Sequence, residues 1–167
     1  MTLIRPRFNL EVDANGARNW QLQDGEFAKR LNLADDKKPQ SLALGFAKIV
    51  DGTIKLNDQL NRVTTELTAV NGSIHWPDIT SGIEGDMAAV WNGEIVNFEF
   101  AADNPLKLLR GGISSTRSVF KSKTLTMVYD GMVDTKLNTA KGTFSSLTPS
   151  IKSATEWLSI RLPMANI

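Results

Sequence analysis

Two apolar runs meet across the dipeptide Asn92-Gly93, and this feature limits the fold more than any other. Met87, Ala89 and Trp91 take every second position before it. Val96, Phe98 and Phe100 take every second position after it, with Asn97 and Glu99 between them. A period of two residues belongs to a strand with one dry face and one wet face. Asn-Gly tolerates the positive φ angles of a tight hairpin, so it sets the register of the two strands. Just upstream, Ile74 and Trp76 alternate with Ser73, His75 and Pro77. Leu67 to Phe100 therefore reads as three strands in a row.

The same period extends along the chain. Ile4, Pro6, Phe8, Leu10 and Val12 predict an amphipathic strand, with the proline near its start where a missing donor does least damage. Asn19-Trp20 opens a short extended segment, and residues 24–41, rich in Asp, Lys and Gly, read as a solvated loop with room for one helical turn from Glu26 to Leu31. Strands are expected over 41–50, 53–58 and 62–70, with Asp51-Gly52 as a turn. Asn104 to Gly112 reads as a short helix or tight turn, proline near its start and glycine after its end. Further strands are expected over 114–120, 122–129, 132–137 and 141–145, separated by turns at Asp130-Gly131 and Ala140 to Gly142. Leu125, Met127 and Tyr129 share one face. The period then changes. Thr148 as cap and Pro149 in the first turn predict a helix over 148–162, with Ile151, Ala154, Trp157, Leu158 and Arg161 on one stripe. Strand spacing of this kind is that of an antiparallel meander, and its recurrence points to a repeating sheet rather than a two-layer sandwich. The 167 residues fit a single module.

The chemical inventory is sparse. The chain has no cysteine, which removes disulfides, thiolate zinc sites and a cysteine nucleophile. His75 is the only histidine, and alternation places it on the wet face. Glu84, Asp86 and Glu94 lie near the hairpin, but solvated strand faces carry such residues routinely. Leu109-Arg110-Gly111-Gly112 lacks the spacing and the lysine of a phosphate loop. Asn71-Gly72-Ser73 matches a glycosylation acceptor by letter and reads as a turn. A net charge of +1 without a basic run gives no electrostatic pull toward nucleic acid. No stretch of 18 apolar residues exists to span a membrane, and Arg5-Pro6 comes too early for a signal-peptide core. The expectation is a protein that is not an enzyme and needs no cofactor. The four tryptophans have two readings, core packing or the wall of an apolar surface left open for a ligand; core packing carries more weight, because a sheet must cover most of its dry face.

An ordered set of motifs adds a resemblance. Pro6-Arg7-Phe8-Asn9-Leu10 is followed by Asn15-Gly16 and Asn19-Trp20. Next come Gly52-Thr53-Ile54 with Leu56 and Asp58, then Asn71-Gly72-Ser73-Ile74-His75-Trp76-Pro77, Trp91-Asn92-Gly93-Glu94, and Pro149-Ser150-Ile151 leading to Trp157-Leu158. From about Leu3 to Leu158 the set resembles the middle of an AsmA-family protein of the alphaproteobacterial type. The resemblance implies a mainly β fold: an antiparallel meander forming a curved, groove-like sheet, with a short C-terminal amphipathic helix. It implies a place on the periplasmic face of the inner membrane, with a role in outer-membrane biogenesis or lipid transfer through an apolar groove. No catalytic residues are carried over. The family's membrane anchor is missing and the chain is far shorter than the usual member, so the resemblance implies a fragment whose other partner is the remainder of a longer chain. The residues expected to face lipid or to form core are Trp76, Met87, Trp91, Val96, Phe98, Phe100, Leu125 and Met127. Phospholipid or another lipid is the expected ligand. The alternative is an interaction module of the envelope that binds a protein partner by strand addition at an open sheet edge.

Overall fold

A computed structural model describes residues 1–19 and 45–158. The expected loop over 24–41, Trp20 and the helix beyond residue 158 lie outside the described residues. The elements are β1 (Thr2–Ile4), β2 (Arg7–Val12), β3 (Gly45–Asp58), β4 (Val63–Trp76), β5 (Ile83–Trp91) and β6 (Glu94–Ala102), then α1 (Pro105–Leu109), β7 (Ile113–Lys121), β8 (Thr126–Asp134), β9 (Thr139–Leu147) and α2 (Ile151–Trp157). The strands form one open, curved sheet. From β3 to β9 it is an antiparallel meander in chain order. At one edge β1 and β2 lie end to end and pair parallel with β3, a departure from the all-antiparallel expectation.

The central hairpin forms as its sequence dictates. Trp91 pairs with Glu94, Ala89 with Val96 and Met87 with Phe98. Asn92 and Gly93 carry φ of 47° and 78°, the doubly positive pattern of the turn that matches strand twist.

Several expected turns are instead bulges or close contacts within longer strands. β3 and β4 each run for 14 residues, straight through Asp51-Gly52 and Asn71-Gly72. The register slips there, and Asp51 and Ala69 take positive φ of 54° and 49°. Asn71 holds the irregularity together: its side chain accepts from the Asp51 N–H at 3.1 Å and donates to the Ala69 carbonyl at 2.8 Å. An Asn that serves a bulge this way leaves the same sequence signature as one in a turn. Asp130-Gly131 also lies inside a strand. Gly131 faces Gly142 across β8 and β9, and a Cβ on Gly131 would sit 2.4 Å from the Lys141 carbonyl. These glycines serve close backbone approach. The true turns are at 122–125 and 135–138. Ser122 Oγ accepts from the Thr124 and Leu125 N–H groups, and Asp134 Oδ1 from those of Lys136 and Leu137.

Two further boundaries move. The expected strand over Ile4 to Val12 breaks at Arg5-Pro6, where Arg5 has φ 50°. The break shifts the phase: Leu3 is half-buried while Ile4 is 70% exposed. At the C-terminal helix the cap is Ser150, whose side chain accepts from the Ser153 N–H at 3.3 Å. Thr148 instead donates to the Thr124 carbonyl and ties the helix approach to the β7–β8 turn. Of the expected stripe, Ala154 is buried and Trp157 packs on the sheet, but Ile151 is exposed.

The fully buried core is small. Val70, Ala89 and Val96 form its centre, with Ile49, Ile54, Leu67, Met87 and Phe120 around them.

Candidate ligand-binding face

Strand register fixes which side chains share a face. One cross-strand row runs Ala47, Ile74, Gly85, Phe100, Ser118, Tyr129, Phe144. The next runs Ile49, Gly72, Met87, Phe98, Phe120, Met127, Ser146. Both lie on the face that carries the core. Small and large residues interlock along it. The Phe100 ring occupies the space over Gly85, where a Cβ would come within 2.6 Å of it. Phe98 stacks on Phe100 with ring centroids 5.9 Å apart.

Among the described residues, α1 and α2 cover the two ends of this face and leave its middle. α2 sits over the β5–β6 turn. Trp157 meets Trp91 edge-on at 4.9 Å and Phe120 at 6.2 Å. It also donates from Nε1 to the Asn92 carbonyl at 3.2 Å, while Asn92 Nδ2 donates to the Trp157 carbonyl at 2.8 Å. At the other end α1 is capped by Asn104, which accepts from the Lys107 N–H at 3.0 Å, and it buries Pro105 and Leu106. A cavity of about 310 Å³ opens beside it between Trp76, Ile83, Phe100, Pro105, Leu108 and Leu109. The Trp76 Nε1 is buried there without a hydrogen-bond partner.

The expected site residues separate into groups. Val96 is core, and Trp91 lies beneath α2. Leu125 is buried in the β7–β8 turn rather than placed on a strand face. Met87, Phe98, Phe100 and Met127 are half-buried along the uncovered middle, and Trp76 is half-buried in the cavity by α1. α2 therefore covers Trp91 but stands apart from Trp76, and among the described residues the apolar face is only partly closed.

The opposite face carries a trough that alternation alone did not reveal. It measures about 750 Å³ and is lined by Phe46, Ser73, His75, Glu84, Asp86, Glu99 and Arg117, among others. His75 Nδ1 lies 3.4 Å from Glu84 Oε1, so the lone histidine does point to the wet side. Ser73 Oγ donates to Asp86 at 2.5 Å. Asp86 stands opposite Glu99 in the ladder. Glu94, in phase with Val96, lies on the other side of the sheet from Glu84 and Asp86, so these three carboxylates do not converge. Glu94 accepts from the side chain and the N–H of Thr124, and the Thr124 hydroxyl is the main reason its carboxyl titrates below its ordinary range. Pairing parity after Asn92-Gly93 was the signal that could have separated these acids.

No described helix is long and apolar enough to cross a membrane. No family model matches the chain, and no curated protein or solved structure shows significant similarity to it.

Proposed function

We propose that the chain is a non-enzymatic module of a bacterial cell envelope, acting at the periplasmic face of the inner membrane. In this reading its apolar sheet face receives the acyl chains of phospholipid or a related lipid, in the service of outer-membrane biogenesis. One observation carries the reading: an open sheet has a continuous apolar face, covered by helices at its ends and half-exposed in its middle. Each methylene laid against such a face gains about 0.8 kcal/mol on leaving water. Binding of this kind requires no catalytic group. The motif set that resembles the AsmA family supports the envelope setting. A second reading, a module that binds an envelope protein, draws support from the fully exposed edge strand β9.

The test is native mass spectrometry of the purified full chain, followed by solvent extraction. Co-purified phospholipid that is lost in Phe98→Glu, with the far-ultraviolet spectrum retained, supports the reading. An apo mass after incubation with phospholipid vesicles counts against it.

A further inference from the structure

The two edges of the sheet are built differently. The β1/β2 edge is interrupted by Pro6, which has no N–H to donate, and it carries Arg5, Arg7 and Glu11. Prolines, charges and short strands blunt an edge against further pairing. Where the other edge combines three of these devices, β9 carries one, a lone charge. It runs for nine residues without proline, Lys141 is its single charge, and every residue is exposed, with Phe144 at 62% and Leu147 at 74%. Among the described residues it pairs only with β8. The described residues after it, through Leu158, do not return along this edge, because α2 packs on Trp91 and Phe120 instead.

We propose that β9 pairs antiparallel with β9 of a second copy, across a twofold axis at Thr143. The self-complementarity of the strand selects a second copy over another partner. Paired residues must lie on the same face of a continuous sheet, so a symmetric pairing is centred on a residue. Centring on Thr143, the midpoint of Thr139–Leu147, pairs every residue of the strand. Lys141 then faces Ser145 of the second copy, so the two lysines do not oppose one another. Thr143 faces Thr143, a favourable cross-strand pair. Phe144 faces Gly142, on the face where Gly142 already meets Gly131, and its ring covers a position with no side chain of its own. Because the β1/β2 edge is blunt, pairing stops at two copies. The proposal stands independently of the lipid reading.

Sedimentation of the full chain over a concentration series gives the stoichiometry, and single cysteines in this cysteine-free chain give the register. Cα atoms of facing residues lie about 4.5–5.5 Å apart, within disulfide reach. Thr143→Cys is expected to cross-link to itself on mild oxidation. Lys141→Cys and Ser145→Cys are each expected to resist self-linking and to cross-link when mixed. Phe144→Lys is expected to weaken the dimer at least tenfold while the far-ultraviolet spectrum is unchanged. A chain that is monomeric up to its solubility limit overturns the proposal. So does a dimer indifferent to Phe144→Lys, a Thr143→Cys that links no faster than Leu137→Cys in the preceding turn, or a monomer that adds only a foreign strand at β9.

Discussion

Single residues decide where this sheet bends and where its strands touch. Gly131 and Gly142 face each other so closely that any Cβ would enter the neighbouring backbone. Gly131→Ala is therefore expected to lose about 1–3 kcal/mol in urea denaturation, the cost of overpacking a tight contact, although alanine is otherwise the better residue for an ordered strand. Glu94 adds a pH dependence. Hydrogen bonds from Thr124 hold its carboxyl below the ordinary value of 4.5 in the folded chain, so the folded state favours the carboxylate. Its contribution is full above the unfolded value and is lost as pH falls through the folded one. Asp58, bonded by Asn61, and Asp78, bonded by Thr80, are shifted in the same direction. The melting temperature is expected to drop as pH falls below about 4.5, and the gap between the native chain and Glu94→Gln to shrink over the same interval. A gap that stays constant with pH would show that the Thr124 bonds do not favour the charged form. At this scale the sequence is ambiguous for a physical reason. Asn-Gly and Asp-Gly permit positive φ and close approach, and turns, bulges and tight strand crossings all require one or the other. Only at Asn92-Gly93 did flanking alternation in phase on both sides mark a turn.

At the scale of elements, alternation was enough to identify strands and their inward faces, but not their lengths. β3 and β4 each look like two segments in the sequence, because a bulge reverses the phase of alternation just as a turn interrupts it. The parallel pairing of β1 and β2 with β3 was not legible at all, since it joins residues far apart in the chain and leaves no local mark. The helix signals were better. Asn104-Pro105 gave α1, and Trp157 gave the inward face of α2, although the cap moved from Thr148 to Ser150. α2 is held by Trp157, by the buried Ala154 and by a reciprocal pair of hydrogen bonds with Asn92. Trp157→Ala is expected to cost about 3–5 kcal/mol, as large aromatic truncations do, and to expose Trp91 to solvent. A red shift of the remaining tryptophan emission reports that exposure. Ser150→Ala is expected to cost about 1 kcal/mol by loss of the cap. If Trp157→Ala melts like the native chain, α2 is not part of the folded unit.

At the largest scale, the distinctive property among the described residues is a sheet with more apolar face than α1 and α2 cover. Alternation in the sequence announced the apolar face. It could not say how much of that face would be covered, because coverage depends on where α1 and α2 dock. Their docking separates Val96 and Leu125, which are buried, and Trp91, which is half-buried beneath α2, from Met87, Phe98, Phe100 and Met127, which are half-buried without a helix over them. Lipid that binds the folded chain alone raises its stability by mass action, about 2.7 kcal/mol at a hundredfold excess over Kd. The most direct test of the lipid-facing role places an environment-sensitive fluorophore on single cysteines at adjacent positions of β6, Phe98→Cys on the apolar face and Asn97→Cys on the other. Titration with phospholipid vesicles is expected to shift emission to the blue at position 98 and to leave position 97 unchanged. No shift at either position, or an equal shift at both, would contradict a lipid-binding role for the apolar face.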